Sequence, residues 1–370
     1  MTINDAVLKY DERMVYDLRE LYRRHGYTRF KMSKFEEYDL YSKNKDFLVS
    51  DSVITFTDTN GKLMALKPDV TLSIVKNAKW QSGCVQKLYY NENVYRVSRS
   101  TRAFEELMQA GLECIGELDV TQVCEVMLLA AQSLRMVSDR FVLDISHMGI
   151  IGAIMEKMEL SATARDAVLQ ALSEKNVHGA RAICIENGVD EGAYEKLLSL
   201  MKVYGPIETT LPVLTEMCED LGVCEALNEL NAIANVLKAN GLSSQIRLDF
   251  SVVHDIHYYS GIVFQGFVDG VPSSILIGGR YDRLLHKMGK QGGAIGFAVY
   301  LDLLERLHRE ARACDADILC LYDEHDDPAA LSQAVKTWNE QGKSVLLQRQ
   351  IPAQMRFAQI IRFSDGGDLK

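Results

Sequence analysis

Residues 258–264 are Tyr-Tyr-Ser-Gly-Ile-Val-Phe, and residues 278–282 are Gly-Gly-Arg-Tyr-Asp. Residues 293–298, Gly-Ala-Ile-Gly-Phe-Ala, follow the second run closely. β-Branched and aromatic residues favour strands, and a glycine inside a strand lets another backbone or a ligand approach closely. These segments therefore predict strands of a sheet. In it, aromatic side chains and the exposed backbone of the glycines form one wall of a ligand pocket.

The composition bounds the class of protein. The chain has 370 residues, of which 47% are hydrophobic and 25% are charged, as expected for a folded protein of two or three units. The net charge of −10 makes tRNA an unfavourable partner, because tRNA binding depends on many phosphate contacts. We expect protein and small-molecule partners instead.

The sequence argues against a membrane protein, a secreted protein and a zinc protein. No apolar run reaches the roughly 20 residues that a membrane helix needs, and the N-terminus has no signal-peptide pattern, so we expect no membrane partner and a cytoplasmic location. The eight cysteines show no Cys-x-x-Cys spacing, which argues against a structural zinc site and favours reduced, buried thiols. We predict neither a metal nor a cofactor.

Hydrophobic alternation predicts strands joined by turns. Residues 47–49 and 53–57 predict two of these strands, and Asp58-Thr59-Asn60-Gly61 predicts a hairpin turn after them. Further strands are predicted at residues 87–97 and 107–115. Because strands follow strands rather than helices, we expect an antiparallel sheet flanked by helices.

The middle and the tail of the chain have different patterns. Residues from about 149 to 241 have helical periodicity and hardly any strand pattern, which predicts a helical insertion. The tail from residue 317 predicts a strand, a helix and a strand. The predicted fold class is therefore α+β. A sheet-and-helix core spans residues 1–312 with the insertion inside it, and a small α/β appendage spans residues 313–370.

Two polar clusters are candidates for ligand binding. Asp69 and Thr71 lie at a predicted strand-to-helix junction and suit an ammonium group, although Asp69 equally suits a helix N-cap. Arg96 suits a phosphate or a carboxylate. Gln109 and Glu113 share one face of a strand because their spacing is even. A buried Glu113 needs a partner, which is either a cationic or hydrogen-bond-donating ligand or Arg96 in a structural salt bridge.

The aromatic and histidine residues near position 258 have several interpretations. On a strand, Tyr258 and Tyr259 would point to opposite faces, so at most one of them would face a pocket. The alternative is that both pack in the core. His254 and His257 are three residues apart and would also face opposite ways, which argues against a shared metal ion. The glycine pair at 278–279 suits either a ligand or a bulge.

The order of these motifs resembles that of the histidyl-tRNA synthetase family. Four stretches carry the resemblance: residues 66–71, 95–116, 256–264 and 278–307. The resemblance covers about the first 310 residues, including the helical insertion. It implies a six-stranded antiparallel sheet of the class II aminoacyl-tRNA synthetase type, flanked by helices, in a dimer.

The resemblance also implies a histidine pocket. The ammonium group of histidine would contact three side chains, Asp69, Thr71 and Gln109. The imidazole would contact Glu113 and Tyr259. The other side chains of the implied pocket are Arg96, Tyr258 and Tyr281.

Three positions depart from the synthetase pattern. Synthetases have arginines where this chain has His254 and Leu303, and they have an adenine-reading glutamate where it has Ser98. One positioned charge-stabilising donor contributes about 3–4 kcal/mol to a transition state. Because two such donors and the adenine contact are missing, an efficient adenylation reaction is not expected.

These departures, and Asp69 within Lys-Pro-Asp-x-Thr, make the chain similar to the regulatory subunits of short-form ATP phosphoribosyltransferase. These subunits are inactive synthetase paralogues of histidine biosynthesis. The resemblance implies a non-enzymatic subunit that binds histidine for feedback control and that a small catalytic partner requires for activity. It also implies a homodimer within a hetero-oligomer. The alternatives are a divergent active histidyl-tRNA synthetase and a stand-alone histidine sensor.

Overall fold

The computed structural model of the protein describes residues 9–48, 53–79, 81–98, 101–253, 258–306 and 314–363. The chain divides into two units, Met1–Leu307 and His308–Lys370. The boundary predicted between residues 312 and 313 lies outside the described residues.

Strands and helices occur in blocks along the chain. The strands of the described residues are β1 Thr28–Arg29, β2 Phe35–Glu37, β3 Thr55–Thr57, β4 Leu63–Leu66, β5 Val85–Val97, β6 Phe104–Gly116, β7 Phe141–His147, β8 Tyr204–Pro206, β9 Ile246–Asp249, β10 Ile262–Val268, β11 Leu276–Arg280, β12 Gly293–Tyr300, β13 Ala316–Leu321, β14 Val345–Gln348 and β15 Phe357–Arg362. The α-helices of the same residues are α1 Tyr10–Arg24, α2 Tyr38–Ser42, α3 Thr71–Asn77, α4 Val120–Val137, α5 Met148–Glu156, α6 Ala162–Ser173, α7 Val177–Glu186, α8 Glu191–Leu200, α9 Ile207–Met217, α10 Cys224–Ala239, α11 Asp282–Lys287 and α12 Pro328–Glu340.

The first unit is built on a nine-stranded sheet with the order β1-β5-β6-β12-β11-β10-β7-β9-β8. Most neighbouring strands are antiparallel, and β5 and β6 form one long hairpin. The predicted sheet flanked by helices is thus confirmed, and its six central strands, β5-β6-β12-β11-β10-β7, are antiparallel as the resemblance implies, but three further strands extend its edges. The pairs β1–β5 and β7–β9 are parallel, which was not predicted, because a parallel pair depends on a long crossover that local patterns do not reveal.

Alternation along β5 and β6 separates two cores on opposite faces of the sheet. Leu112 and Cys114 belong to the larger core, together with buried residues of α1 and α4. Tyr90 belongs to the second core, which also holds apolar residues of α3 and α11. Because side chains alternate along a strand, Glu113 lies on the face of this second core. This face carries the candidate site.

The helix α4 is the central helix of the larger core. By length and composition alone this helix could cross a membrane, although its 18 residues include Glu125 and Arg135 and are fewer than the roughly 20 considered in the sequence. Ten of these residues are buried in the fold. Asp119 caps the helix by accepting a hydrogen bond from the Thr121 amide at 2.6 Å. The apolar composition therefore reflects packing on both sides of a core helix.

The region predicted as a helical insertion contains α5–α10 and the short strand β8. Side-chain oxygens of Ser161, Asn176 and Asp190 accept amide hydrogen bonds at the starts of α6, α7 and α8. Such N-caps each contribute about 1 kcal/mol to helix stability. The strand β8 pairs with β9 at the edge of the large sheet, and its three residues are too few for an alternating pattern.

A separate sheet of three strands has the order β2-β4-β3. The predicted hairpin turn is confirmed, since Asp58 Oδ1 accepts hydrogen bonds from the amides of Asn60 and Lys62 at 2.8 Å. The strand predicted at residues 47–49 is wrong. Lys45–Phe47 is a 3-10 helix, Phe47 is buried, and residue 49 lies outside the described residues. Only Thr55–Thr57 of the other predicted strand is extended within the small sheet.

The second unit has three parallel strands in the order β14-β13-β15 and the helix α12. Leu331 and Trp338 of α12 pack against Ile318 and Cys320 of β13. The predicted strand, helix and strand are all present. The third strand, β15, was not predicted, because it is mostly exposed and its sequence alternates poorly.

Candidate functional site

A cleft of about 770 Å³ opens on the second face of the large sheet. This volume is within the usual range for sites that bind small molecules. The side chains predicted for the ligand site all line it, and they are Asp69, Thr71, Arg96, Gln109, Glu113, Tyr258, Tyr259 and Tyr281. They come from α3, the hairpin β5–β6 and the segments around β10 and β11, so the fold brings distant parts of the sequence to one place.

Glu113 lies at the bottom of the cleft with only 2% of its surface exposed. Its two carboxyl oxygens accept hydrogen bonds from the Thr71 hydroxyl at 2.9 Å and from the Tyr281 hydroxyl at 2.5 Å. Burial raises the pKa of Glu113 to about 8, and the two hydroxyls oppose this rise only in part. Burial therefore favours the protonated acid, and a ligand bearing a positive charge or N–H groups would stabilise its ionised form.

Asp69 lies at the start of α3, close to Thr71. Its Oδ1 accepts a hydrogen bond from the Leu72 amide at 2.9 Å, which agrees with the capping interpretation. Burial raises the pKa of Asp69, while the Leu72 amide and the charge of Arg96 oppose that rise. Since the aspartate also lines the cleft, its capping role and a ligand-binding role are compatible.

Arg96 and Gln109 line the cleft on the hairpin β5–β6. The Arg96 Nε–H donates to the Pro68 carbonyl oxygen at 3.1 Å, and its guanidinium lies 5.8 Å from the centre of the Tyr300 ring. Gln109 is buried and lies opposite Tyr300 in the strand register. The structural salt bridge considered between Arg96 and Glu113 is not the observed arrangement, because Glu113 is held by hydroxyl groups.

The tyrosine pair does not lie on a strand. The strand β10 begins only at Ile262, so Tyr258 and Tyr259 are in the segment before it. Their ring centres are 4.6 Å apart, and both rings line the cleft. The prediction that at most one of them faces the pocket is therefore wrong, because strand alternation does not apply outside a strand. The Tyr258 ring also packs against Tyr281, with ring centres 5.6 Å apart.

The segments 258–264 and 278–282 pack closely against each other because each contains a glycine at the contact. The Tyr259 ring lies against Gly279, where an added Cβ would be 2.5 Å from the ring. The Arg280 side chain lies against Gly261, where an added Cβ would be 3.0 Å from Arg280 Cδ. The Asp282 amide donates to the hydroxyl of Ser260 at 3.1 Å. The glycine pair at 278–279 thus admits an aromatic ring, and the structure shows no need for a bulge there.

Gly296 provides the space for the Glu113 carboxyl group. The two residues are opposite each other in the register of β12 and β6. A Cβ at position 296 would lie 1.8 Å from Glu113 Oε2 and 2.4 Å from the Leu112 carbonyl oxygen. A side chain at position 296 and the observed carboxyl position are therefore incompatible. This role was missed in the sequence, although the glycine itself was noted.

Other residues that line the cleft were missed in the sequence. Phe47 and Leu48 contribute apolar surface, and Tyr90 and Tyr300 contribute rings from β5 and β12. Tyr90 could have been found from its even spacing to Arg96 on the same strand. Phe47 could not, because its position in the cleft results from a short 3-10 helix.

The three positions that depart from the synthetase pattern lie in different parts of the chain's structure. His254 lies outside the described residues, as does His257. Leu303 lies in the 3-10 helix Leu301–Arg306 and packs, partly buried, against the larger core. Ser98 lines the cleft, and its amide donates to the Ala103 carbonyl oxygen at 2.9 Å. The two described positions therefore have an apolar and a small polar side chain where synthetases have charged ones.

The sequence is similar to one protein family over most of its length. The family model described as Histidyl-tRNA synthetase matches residues 3–304. A Caldanaerobacter subterraneus protein named ATP phosphoribosyltransferase regulatory subunit is 30% identical over 301 residues, which cover 80% of this chain and 78% of the relative.

Two solved structures share the fold. One is an ATP phosphoribosyltransferase regulatory subunit/histidyl-tRNA synthetase from Bacillus halodurans, with a TM-score of 0.76 and 23% identity over 95% of this chain and 93% of that chain. The other is a chain of the ATP phosphoribosyl transferase (HisG:HisZ) complex from Thermotoga maritima. It has a TM-score of 0.62 and 18% identity over 79% of this chain and 97% of that chain.

The sheet, the cleft and the structural matches define a core of the class II aminoacyl-tRNA synthetase type, as predicted. The chain belongs to the histidyl-tRNA synthetase family and, within it, to the ATP phosphoribosyltransferase regulatory subunits. It is therefore a regulatory chain and not a catalytic one, as predicted from the departures at His254, Leu303 and Ser98.

Proposed function

We propose that this chain senses histidine for a short-form ATP phosphoribosyltransferase, the enzyme of the first step of histidine biosynthesis. The observation that carries the proposal is the buried Glu113 carboxyl group at the bottom of the cleft, held by the hydroxyls of Thr71 and Tyr281. A buried acid in a polar cleft favours a ligand that brings N–H groups or positive charge.

Histidine suits the distribution of polar groups along the cleft. Its ammonium group would contact Asp69, Thr71 and Gln109, which are all buried. Its imidazole would contact Glu113 and Tyr259, which offer an acceptor and a hydroxyl group. The carboxylate of histidine would face the guanidinium of Arg96, and Tyr258 and Tyr281 would cover the ring. This arrangement supplies a partner for each polar group of the ligand.

The same cleft is poorly suited to adenylation. Leu303 packs against the larger core and brings no charge to the cleft, and Ser98 cannot replace a carboxylate that reads adenine. These features support recognition of histidine without activation, and no cofactor or metal enters the proposal.

The proposed assembly is a homodimer within a hetero-oligomer that contains the catalytic subunit. Support for this assembly comes from the Thermotoga maritima complex, since 97% of its matched chain is covered by this one. Histidine would regulate the partner by binding one assembly state more tightly, with a coupling free energy of about 1–3 kcal/mol. We place the complex in the cytoplasm, and tRNA is not among its proposed partners.

Reconstitution tests the proposal. The purified chain is mixed with a short-form catalytic subunit, and formation of phosphoribosyl-ATP is measured with and without histidine. We expect activity to depend on this chain and histidine to inhibit it. Glu113→Ala should remove the inhibition and the calorimetric binding of histidine, whereas Glu117→Ala, at an exposed position just beyond β6, should change neither. Histidine inhibition that persists in Glu113→Ala would exclude Glu113 from the pocket.

The two alternatives give different results in related assays. An active synthetase would catalyse histidine-dependent exchange between ATP and pyrophosphate, which we do not expect. A stand-alone sensor would bind histidine, but the catalytic subunit would have the same activity in the presence and in the absence of this chain.

A further inference from the structure

Four polar side chains, three of them charged, connect the helical insertion to the wall of the cleft. They are His147 at the end of β7, Glu229 on α10, Arg280 at the end of β11 and Asp282 at the start of α11. Their side chains are between 9% and 28% exposed. Ion pairs at this depth are screened less than surface pairs, and removing one partner leaves a poorly hydrated charge.

Glu229 bridges two separate elements. The His147 Nδ1 accepts a hydrogen bond from the Gly149 amide at 3.1 Å, so the ring proton of the neutral histidine is on Nε2. That Nε2 lies 3.3 Å from Glu229 Oε1. The other oxygen, Oε2, lies 3.6 Å from Arg280 Nη1. One carboxylate of the insertion therefore contacts both the β7–α5 junction and the end of β11.

Arg280 also contacts the segment that follows the tyrosine pair, and so links it to Glu229. Its Nε–H donates to Asp282 at 2.8 Å, and its carbonyl oxygen accepts a hydrogen bond from the Ser260 amide at 2.8 Å. The aliphatic part of its side chain covers Gly261. The Asp282 amide in turn donates to the hydroxyl of Ser260. The conformation of Ser260 and Gly261 thus depends on where Arg280 lies.

We propose that Glu229 is a positioning residue for the ligand, which acts from the insertion through Arg280 on the aromatic wall formed by Tyr258 and Tyr259. Glu229 does not line the cleft, so its effect on binding would be indirect. The inference rests on the proposed function, since the ligand whose affinity reports the effect is histidine. It adds a role for the helical insertion, none of whose described residues lines the cleft.

Calorimetric titration of the full-length chain with histidine tests this inference. Glu229→Gln keeps the shape of the side chain and removes its charge. The dissociation constant for histidine should rise about tenfold, as is typical of coupled neighbouring groups. The matched control is Glu208→Gln, which removes an insertion carboxylate paired with Lys238 at 3.2 Å and should leave the affinity unchanged.

A double variant separates positioning from a general structural effect. If Glu229 acts through Tyr259, the losses from Glu229→Gln and Tyr259→Phe should not add, and the double variant should bind about as weakly as the weaker single variant. Additive losses, or wild-type affinity in Glu229→Gln, would overturn the inference. If Glu229→Gln does not fold, Arg280→Lys takes its place, because lysine keeps the charge and loses the Nε–H donor. Unchanged affinity in that variant would overturn the inference equally.

A measurement without ligand distinguishes this inference from the proposed function. The near-ultraviolet circular dichroism of the tyrosines should change in Glu229→Gln and not in Glu208→Gln. If the wild-type chain does not bind histidine, the proposed function fails while this spectral test of the positioning role remains. If histidine binds and neither the spectrum nor the affinity changes in Glu229→Gln, only the inference fails.

Discussion

Glu113→Gln should make the fold more stable at neutral pH while it abolishes histidine binding. The amide has the shape of the carboxyl group and has no charge, so its burial does not depend on pH. The hydroxyls of Thr71 and Tyr281 can hydrogen-bond to the amide as they do to the acid. The amide N–H group, however, would face the donor of the ligand, so the variant should show no calorimetric heat with histidine.

The magnitude follows from the pKa of Glu113, which burial raises from 4.5 to about 8 in the folded chain. Between these two values the folded state binds a proton that the unfolded state has released, so the stability of the wild type falls as the pH rises through this window. Each pH unit contributes about 1.4 kcal/mol. The resulting penalty is about 1 kcal/mol at pH 5 and about 3 kcal/mol at pH 7.

Urea denaturation of the wild type and of Glu113→Gln between pH 5 and pH 8 measures this effect. The difference in the free energy of unfolding should favour the variant increasingly as the pH rises, by about 2–3 kcal/mol between pH 5 and pH 7. The control variant Glu117→Gln, at an exposed position, should follow the wild type at every pH. A difference between Glu113→Gln and the wild type that stays constant with pH would refute the argument that Glu113 is buried as an acid.

Three further substitutions, one of them with a control variant, test the site and the departure at Leu303. Tyr281→Phe should weaken histidine binding about tenfold in calorimetry, because Glu113 loses one of its two donors while the ring remains; unchanged affinity would contradict a role for that hydroxyl. Gly296→Ala should lower the free energy of unfolding in urea by about 2 kcal/mol or more, because its methyl group would overlap Glu113 Oε2. Gly152→Ala, which has open space on α5, should be neutral or stabilising by up to about 1 kcal/mol. Leu303→Arg should give no histidine-dependent ATP–pyrophosphate exchange, and measurable exchange would show that this arginine alone limits the reaction.

Patterns with a local physical cause were predictable. The even spacing of Gln109 and Glu113 placed both residues on one face of β6, and both line the cleft. Asp69 was expected to cap a helix, and its side chain accepts a hydrogen bond from an amide at the start of α3. The turn at residues 58–61 was also correct, because its aspartate and glycine favour one backbone conformation over others.

Features that depend on distant residues were missed. The tyrosine pair was assigned to a strand because tyrosine favours strands, but β10 begins only at Ile262. The position of Phe47 in the cleft comes from a 3-10 helix that has no clear sequence pattern. The strand β15 was overlooked because most of its residues are exposed and give no alternation.

The sequence by itself determined the alternation of the strands, the glycine positions and the presence of an acid at position 113. It could not determine the state of that acid. The partners of Glu113 are Thr71, which is 42 residues before it, and Tyr281, which is 168 residues after it. Only the tertiary structure brings them together, excludes water from the carboxyl group and places Gly296 beside it. Because desolvation and hydrogen bonding set the pKa of a buried acid, the folded arrangement decides whether Glu113 is charged and which ligand it favours.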